Sequence, residues 1–464
     1  MRESAGVSSD DASAVRLSPT SAPGGRPETA GLRQPGPRHP GETIALDALL
    51  GDSTRSVTPY SVGAVEAALW PRSDDLLPAA VCTEIAERAV AADEQGLLPE
   101  ATLACLRDVA FFGLPVPTEL RGGGAGLLRC AAVQRRLAMA DPALAIAVNM
   151  HVFSVGMAVE HWLRRRDTCG LLLEAIARQN RIVSSAFAEP GLGGSILHSN
   201  ARAKRVDGGY VVSAVKTPCS LAAQCDLISF QMQTDPAEPE GLLFAVIPAS
   251  SEGVRVERSW DSLGMRASAS DTLLLEECFV PTELVFHRCE PGYDDDEVFA
   301  AGLVWFCMTT TATYLGVAQT CISAAREELR RSNLSYLGSA RADLPGVQTE
   351  LGEVVAKILT LESACVAVSG RLDSREHDPR ALVPLAIAIK HDSVEACVRA
   401  VEAPAELLGG SSYARTGPFA RLWRDVQASR FHPPSRLASR QMLGRWALEL
   451  PFSFQVDGRP DPHG

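Results

Sequence analysis

Apolar spacing divides the chain into three parts. Val81, Ile85 and Ala89 recur every four residues and predict a core-facing helix, with Asp74 and Asp75 carrying negative charge where its start favours it. A second helix is expected from Pro99, with Leu103, Leu106 and Ala110 facing inward and Gly113 ending it. Leu114-Pro115-Val116-Pro117 and the run Gly122 to Gly124 interrupt the pattern, and two further helical stretches carry it to about Ala177. From Val183 the period moves towards two. Val211 to Val215, Leu227 to Met232, Leu242 to Ile247, Val254 to Arg258 and Thr272 to Phe279 read as strands separated by Gly and Asp clusters, the spacing of a small β-barrel or sandwich. After Pro291-Gly292 the helical period returns over about 295–331, 348–372, 382–408 and 437–448. The expectation is an α+β chain: an N-terminal α-helical domain over 71–184, a middle β-barrel domain over 185–290 and a C-terminal four-helix bundle over 291–464. Residues 1–70, rich in Ser, Pro, Gly and Arg without apolar periodicity, are expected to form a disordered arm. They hold no apolar signal-peptide core, and Glu3, Asp10, Asp11 and Glu28 argue against a transit peptide.

Composition narrows the class. The 464 residues allow two or three domains, and 46% hydrophobic content supplies a core. A net charge of −12 argues against a general nucleic-acid binder. The apolar run Ala143 to Leu163 contains Asn149, His151, Glu160 and His161, so a buried helix is expected there and no membrane span. Twelve cysteines show no C-x-x-C pair and no metal-ligand spacing, which predicts a reduced cytoplasmic chain and no metal site. Lysine occurs four times only, at Lys204, Lys216, Lys357 and Lys390.

The candidate chemistry centres on Ser184-Ser185-Ala186-Phe187-Ala188-Glu189-Pro190-Gly191-Leu192-Gly193-Gly194-Ser195. Glycines this dense let backbone fold tightly and approach a flat ligand, and loop N–H groups suit a hydrogen-bond acceptor. Val211 to Ser220, Trp260-Asp261-Ser262-Leu263-Gly264-Met265-Arg266 and Cys278-Phe279-Val280-Pro281 follow in order. Taken together, these four pieces resemble the acyl-CoA dehydrogenase superfamily of flavoproteins over roughly residues 76 to 450. The resemblance implies the same helical, β and helical-bundle order. It implies a flavin site in which the loop bearing Phe187, Ala188, Gly193 and Gly194 lies over the isoalloxazine. Ser220 falls where a hydroxyl bonds flavin N5, and a hydroxyl can donate to or accept from that atom. Pro218 stands where many relatives carry an aromatic. Gly409 and Gly410 resemble a loop that closes over the neighbouring subunit's cofactor, implying a homotetramer or homodimer. FAD is the expected cofactor. FMN stays open as the alternative because Glu406 and Leu337 replace residues that contact the dinucleotide.

The resemblance is incomplete at the catalytic base. The two positions where relatives place a glutamate hold Pro433, nine residues after Arg424, and Phe306. His432 is the titratable candidate beside the first, and an imidazole can serve as acid or base; it can equally cap a turn. The expected reaction is α,β-desaturation of an acyl thioester, on CoA or a carrier protein, with an electron-transfer partner. The alternative is a reduced-flavin monooxygenase of the same fold, using a flavin hydroperoxide and a flavin-reductase partner, towards which His432 and Ser220 lean. A non-catalytic scaffold is the second alternative. Neither nucleic acid nor membrane is expected as a partner.

Overall fold

The computed structural model describes residues 61–195, 197–234, 241–290 and 295–450. The expected arm therefore lies outside the described residues up to position 60, and its last stretch holds helix α1 (Val62–Leu69), N-capped by Ser61. Helices α2 (Ala79–Gln95), α3 (Glu100–Asp108), α4 (Leu127–Ala140), α5 (Pro142–Arg165) and α6 (Cys169–Gln179) follow. Helix α3 stops two residues before Ala110, which takes a left-handed φ of 53° and is exposed, so the inward role expected for Ala110 is not observed. Asp141 caps α5, its Oδ1 accepting from Ala143 N at 3.0 Å and Leu144 N at 3.3 Å, with Pro142 in the first turn.

The middle region departs from the expected closed barrel. Strands β1 (Val183–Ala186), β2 (Arg202–Val206), β3 (Gly209–Cys219), β4 (Leu227–Thr234), β5 (Leu242–Pro248), β6 (Val254–Glu257), β7 (Asp271–Pro281) and β8 (Val285–Cys289) form a mixed sheet ordered β6-β7-β3-β2-β4-β5-β8, with β1 also on β4. β1 and β2 run parallel to β4 while the other pairs are antiparallel, and the ends β6 and β8 do not pair. Closure depends on register between distant strands, which turn spacing does not encode. β5 shows how the sheet serves two cores. Leu242, Phe244 and Val246 join the helical core, while Leu243, Ala245 and Ile247 pack within the β-domain.

The C-terminal part is helical, with three long helices, α7 (Glu297–Arg331), α8 (Pro345–Ser374) and α9 (Pro379–Leu408), and two short ones, α10 (Pro418–Gln427) and α11 (Arg436–Ala447). Helix α7 is buried almost throughout and packs against α4, α5, α8 and α9, so the bundle shares its core with the N-terminal helices. Helices α5 and α7 are long and apolar enough to cross a membrane, yet protein covers 89% and 100% of their apolar windows. All twelve cysteines are free thiols, ten of them buried, and burial raises the pKa of every one.

Candidate active site

A cavity of about 660 Å³ opens where α5, β1, the end of β3, α7 and α10 meet. That volume falls in the range of cofactor and drug-sized ligand sites. Phe187, Ala188, Gly193, Gly194, Pro218, Ser220 and His432 all line it, so the fold brings the glycine loop, the end of β3 and the turn after α10 to one place. Gly409 and Gly410, beyond the end of α9, do not line it.

The glycine loop leaves β1 and turns under the cavity. Gly191, Gly193 and Gly194 have φ of 81°, 59° and 85°, and a Cβ added at any of them would meet no protein atom within 4 Å. The space beside the loop is thus open to a ligand. Its anchor is Glu189. This carboxylate accepts from Lys216 Nζ at 2.5 Å, Ser199 Oγ at 2.6 Å and the Asn200 amide at 2.7 Å. The Glu189 and Lys216 side chains are 1% and 0% exposed, and Lys216 also donates to Gln231 O at 2.6 Å. Burial pulls the Lys216 ammonium below its ordinary range, and Glu189 opposes that shift. Glu189 is therefore committed to an internal ion pair.

Ser220 enters through a β-bulge. The β3–β7 register slips between Lys216 and Cys219, which frees Thr217 and Pro218 from the ladder and turns them to the cavity. Just beyond, Ser220 Oγ lies 2.8 Å from Ser270 Oγ, itself 2.8 Å from Ser268 Oγ. These three hydroxyls form a row along one wall. Another part of the lining is aromatic: Phe153 packs on Phe187 at 5.5 Å and on Phe306 at 5.3 Å.

Helix α10 supplies the third wall. Arg424 pairs with Asp93 of α2 at 2.5 Å, and Asp425 Oδ1 accepts from Met265 N at 2.6 Å. Gly264 crosses α10 so closely that an added Cβ would overlap the Arg424 carbonyl oxygen. His432 follows α10, its Nε2 2.7 Å from the Tyr314 hydroxyl of α7. Its carbonyl accepts from Lys390 Nζ of α9 at 2.5 Å, and Lys390 reaches Pro434 O at 2.9 Å. Burial, reinforced by the Lys390 charge, pushes the His432 pKa down to about 3, so the imidazole is neutral at physiological pH. Burial likewise lowers Lys390 to about 8.

Sequence reasoning missed Lys216, Lys390, Tyr314 and the Ser268–Ser270 pair. One signal was available for two of them: in a chain whose positive charge is nearly all arginine, Lys216 and Lys390 are two of four lysines, and both are buried.

Sequence profiles of the acyl-CoA dehydrogenase N-terminal, middle and C-terminal domains match residues 75–163, 184–278 and 297–432. The chain belongs to the acyl-CoA dehydrogenase family, whose members are flavoprotein oxidoreductases. Its relatives divide between two chemistries. It is 29% identical over 340 residues to isobutylamine N-hydroxylase of Streptomyces viridifaciens, covering 71% of this chain and 85% of that protein. It is 25% identical over 372 residues to the putative acyl-CoA dehydrogenase YdbM of Bacillus subtilis, covering 80% and 95%. Among solved structures, KijD3 in complex with FMN and dTDP-3-amino-2,3,6-trideoxy-4-keto-3-methyl-D-glucose superposes with a TM-score of 0.72 at 24% identity, covering 89% of this chain and 97% of that one.

Proposed function

We propose that this chain is a reduced-flavin monooxygenase that hydroxylates an organic amine nitrogen. The observation that carries the reading is the state of the ionisable groups in the cavity. Desaturation of an acyl thioester needs a base to remove an α-proton. The lining residues include one carboxylate, Glu189, and it is locked to Lys216. Pro433 and Phe306 stand at the positions where relatives carry the glutamate, and His432 is held far below the pKa of an effective base. What the cavity offers instead is a neutral imidazole, a row of hydroxyls and apolar walls. The amine as substrate class rests on the likeness to isobutylamine N-hydroxylase.

The residues present fit a flavin. Phe187 supplies a flat apolar surface, the Gly191–Gly194 loop leaves open room beside its glycines, and Ser220 offers a hydroxyl that can donate or accept. FMN is the better match. Glu406 is occupied on the surface with Arg399 at 3.1 Å and Leu337 is apolar and exposed, so neither position offers a donor to a dinucleotide's phosphates, while Gly409–Gly410, outside this chain's own cavity, keep the place of a loop that meets a neighbouring subunit's cofactor. Bound reduced flavin supplies two electrons for activation of O₂. The balance is R–NH₂ + O₂ + reduced flavin → R–NHOH + H₂O + oxidised flavin. The chain's own residues bind and orient the reactants, exclude water through the aromatic wall, and hold a proton at His432. A flavin reductase is the implied partner, and a homotetramer or homodimer the implied assembly.

The test supplies FMN, a flavin reductase with NADH, and isobutylamine in air. Hydroxylamine formation that requires this chain supports the reading. Anaerobic bleaching of bound flavin by an acyl thioester, without hydroxylamine in the first assay, would instead restore desaturation. A chain that binds neither FMN nor FAD would favour the scaffold.

A further inference from the structure

His432 is held from two sides, and the contacts decide where its proton lies. Tyr314 of α7 meets Nε2, and Lys390 of α9 grips the carbonyls before and after the Pro433–Pro434 step. Tyr314 is 2% exposed, and burial keeps its phenol protonated. Among the described residues, the phenol hydroxyl meets no hydrogen-bond partner other than His432 Nε2. Were the imidazole proton on Nε2, it would donate to the phenol oxygen and leave the phenolic proton buried without an acceptor, an unfavourable arrangement. The phenol therefore donates, Nε2 accepts, and a neutral ring carries its single proton on Nδ1.

We propose that Tyr314 is a positioning residue that fixes His432 in the neutral Nδ1–H tautomer, so that His432 faces the cavity as a hydrogen-bond donor to a reacting oxygen atom and not as a base. The surroundings support this. From α7 come Tyr314, the edge of Phe306 and the buried thiol of Cys307; from α9 comes the Lys390 ammonium. The buried Asp425 of α10 acts on the Tyr314 phenol, whose pKa it helps to raise. Among the described residues no carboxylate is bonded to the ring, and a positive imidazole would stand beside a like charge. Lys390 complements Tyr314, because two hydrogen bonds from one ammonium hold the turn that sets His432 in the cavity lining, while the phenol occupies Nε2 and leaves Nδ1 as the ring's other polar atom. The tautomer stands on the hydrogen bonding alone, whereas its use as a donor to oxygen rests on the monooxygenase reading.

Nitrogen NMR on the full-length, ¹⁵N-histidine-labelled protein tests the tautomer without any turnover. The His432 signals are those lost in His432→Asn. The wild type should show a protonated Nδ1 and a bare Nε2, unchanged from pH 8 to pH 5, and Tyr314→Phe should release the ring towards the ordinary Nε2–H form. An Nε2–H ring in the wild type, or an imidazolium appearing within that range, would overturn the proposal. The donor role has its own arm. In His432→Asn the amide NH₂ takes the place of Nδ1–H, and in His432→Gln it takes the place of Nε2. With reductase, FMN, O₂ and isobutylamine, His432→Asn should keep kcat within about tenfold. His432→Gln should lose roughly 10²-fold with KM little changed, the scale of losing one donor to a developing oxyanion. Equal losses in the two variants would refute the donor role. Absence of hydroxylamine from the wild type would refute the function reading, while the NMR result would still decide the tautomer.

Discussion

Lys216→Met removes one charge from beneath the candidate site and leaves its partner in place. Methionine keeps most of the aliphatic stem and loses only the ammonium, which stands 5.9 Å from the Phe230 ring centroid, so packing changes little. Glu189 would keep Ser199 Oγ and the Asn200 amide but lose its counter-charge, at 1% side-chain exposure. Breaking a buried pair from one side costs about 3–5 kcal/mol, because the surviving charge is left in a low-dielectric site. Lys216→Met/Glu189→Gln removes that charge, leaves the amide oxygen to accept from the Asn200 N–H and turns its NH₂ towards Ser199 Oγ, whose hydroxyl can donate to Gln231 O, and should recover about half of the loss. The assay is urea denaturation followed by circular dichroism, with the released flavin measured by fluorescence. Lys216→Met should also shed flavin more readily, since Glu189 anchors the loop bearing Gly191 to Gly194. A single variant within about 1 kcal/mol of wild type, the range of ordinary surface changes, would refute the reasoning. So would a double variant no more stable than the single.

Three further outcomes follow from the same geometry. Gly264→Ala drives a methyl into the Arg424 carbonyl oxygen, so α10 must move from the cavity wall; weakened FMN binding by fluorescence titration checks it. His151 is fully buried, bonded to Phe112 O at 2.8 Å and to Val183 N at 3.0 Å, with its pKa lowered to about 4 by burial. Its folded pKa lies below the unfolded 6.5, so stability is intact above pH 6.5 and falls by about 3 kcal/mol as pH drops towards 4; His151→Gln should flatten that part of a stability-versus-pH curve. Ser220→Ala should leave the fold unchanged, because Ser270 retains Ser268, and slow turnover about tenfold by loss of one hydrogen bond.

The long helices were legible because their stripes are long, whereas α10, only 10 residues, was not expected. The expected 295–331 and 382–408 stretches match α7 and α9 to within a few residues. The strands of this sheet that escaped notice are those without alternation: β2 reads Arg-Ala-Lys-Arg-Val, β1 is buried on both faces, and β8 reads Val-Phe-His-Arg-Cys. The loop, Ser220 and His432 could be marked on sequence because resemblance points to them one at a time. Their partners could not. Glu189 looks like a free acid in a Glu-Pro-Gly turn until β3 brings Lys216 against it. Tyr314 is one apolar-helix residue among many until a turn more than a hundred positions later lays His432 on its hydroxyl. Such pairings are set by the docking of α7, α9 and the sheet, which no local period records.

The state of the sulphur atoms has a consequence for how this protein would age. Every cysteine is kept as a protonated thiol, the form that reacts slowly with oxidants. Three methionines, Met150, Met157 and Met265, line the cavity itself. An oxygen-handling site that loses peroxide through wasted turnover would therefore write its damage as methionine sulfoxide around the cavity, with the thiols spared. On the proposed monooxygenase reading the sulphur atoms would act as a built-in recorder of uncoupled cycles, legible by peptide mass spectrometry after turnover.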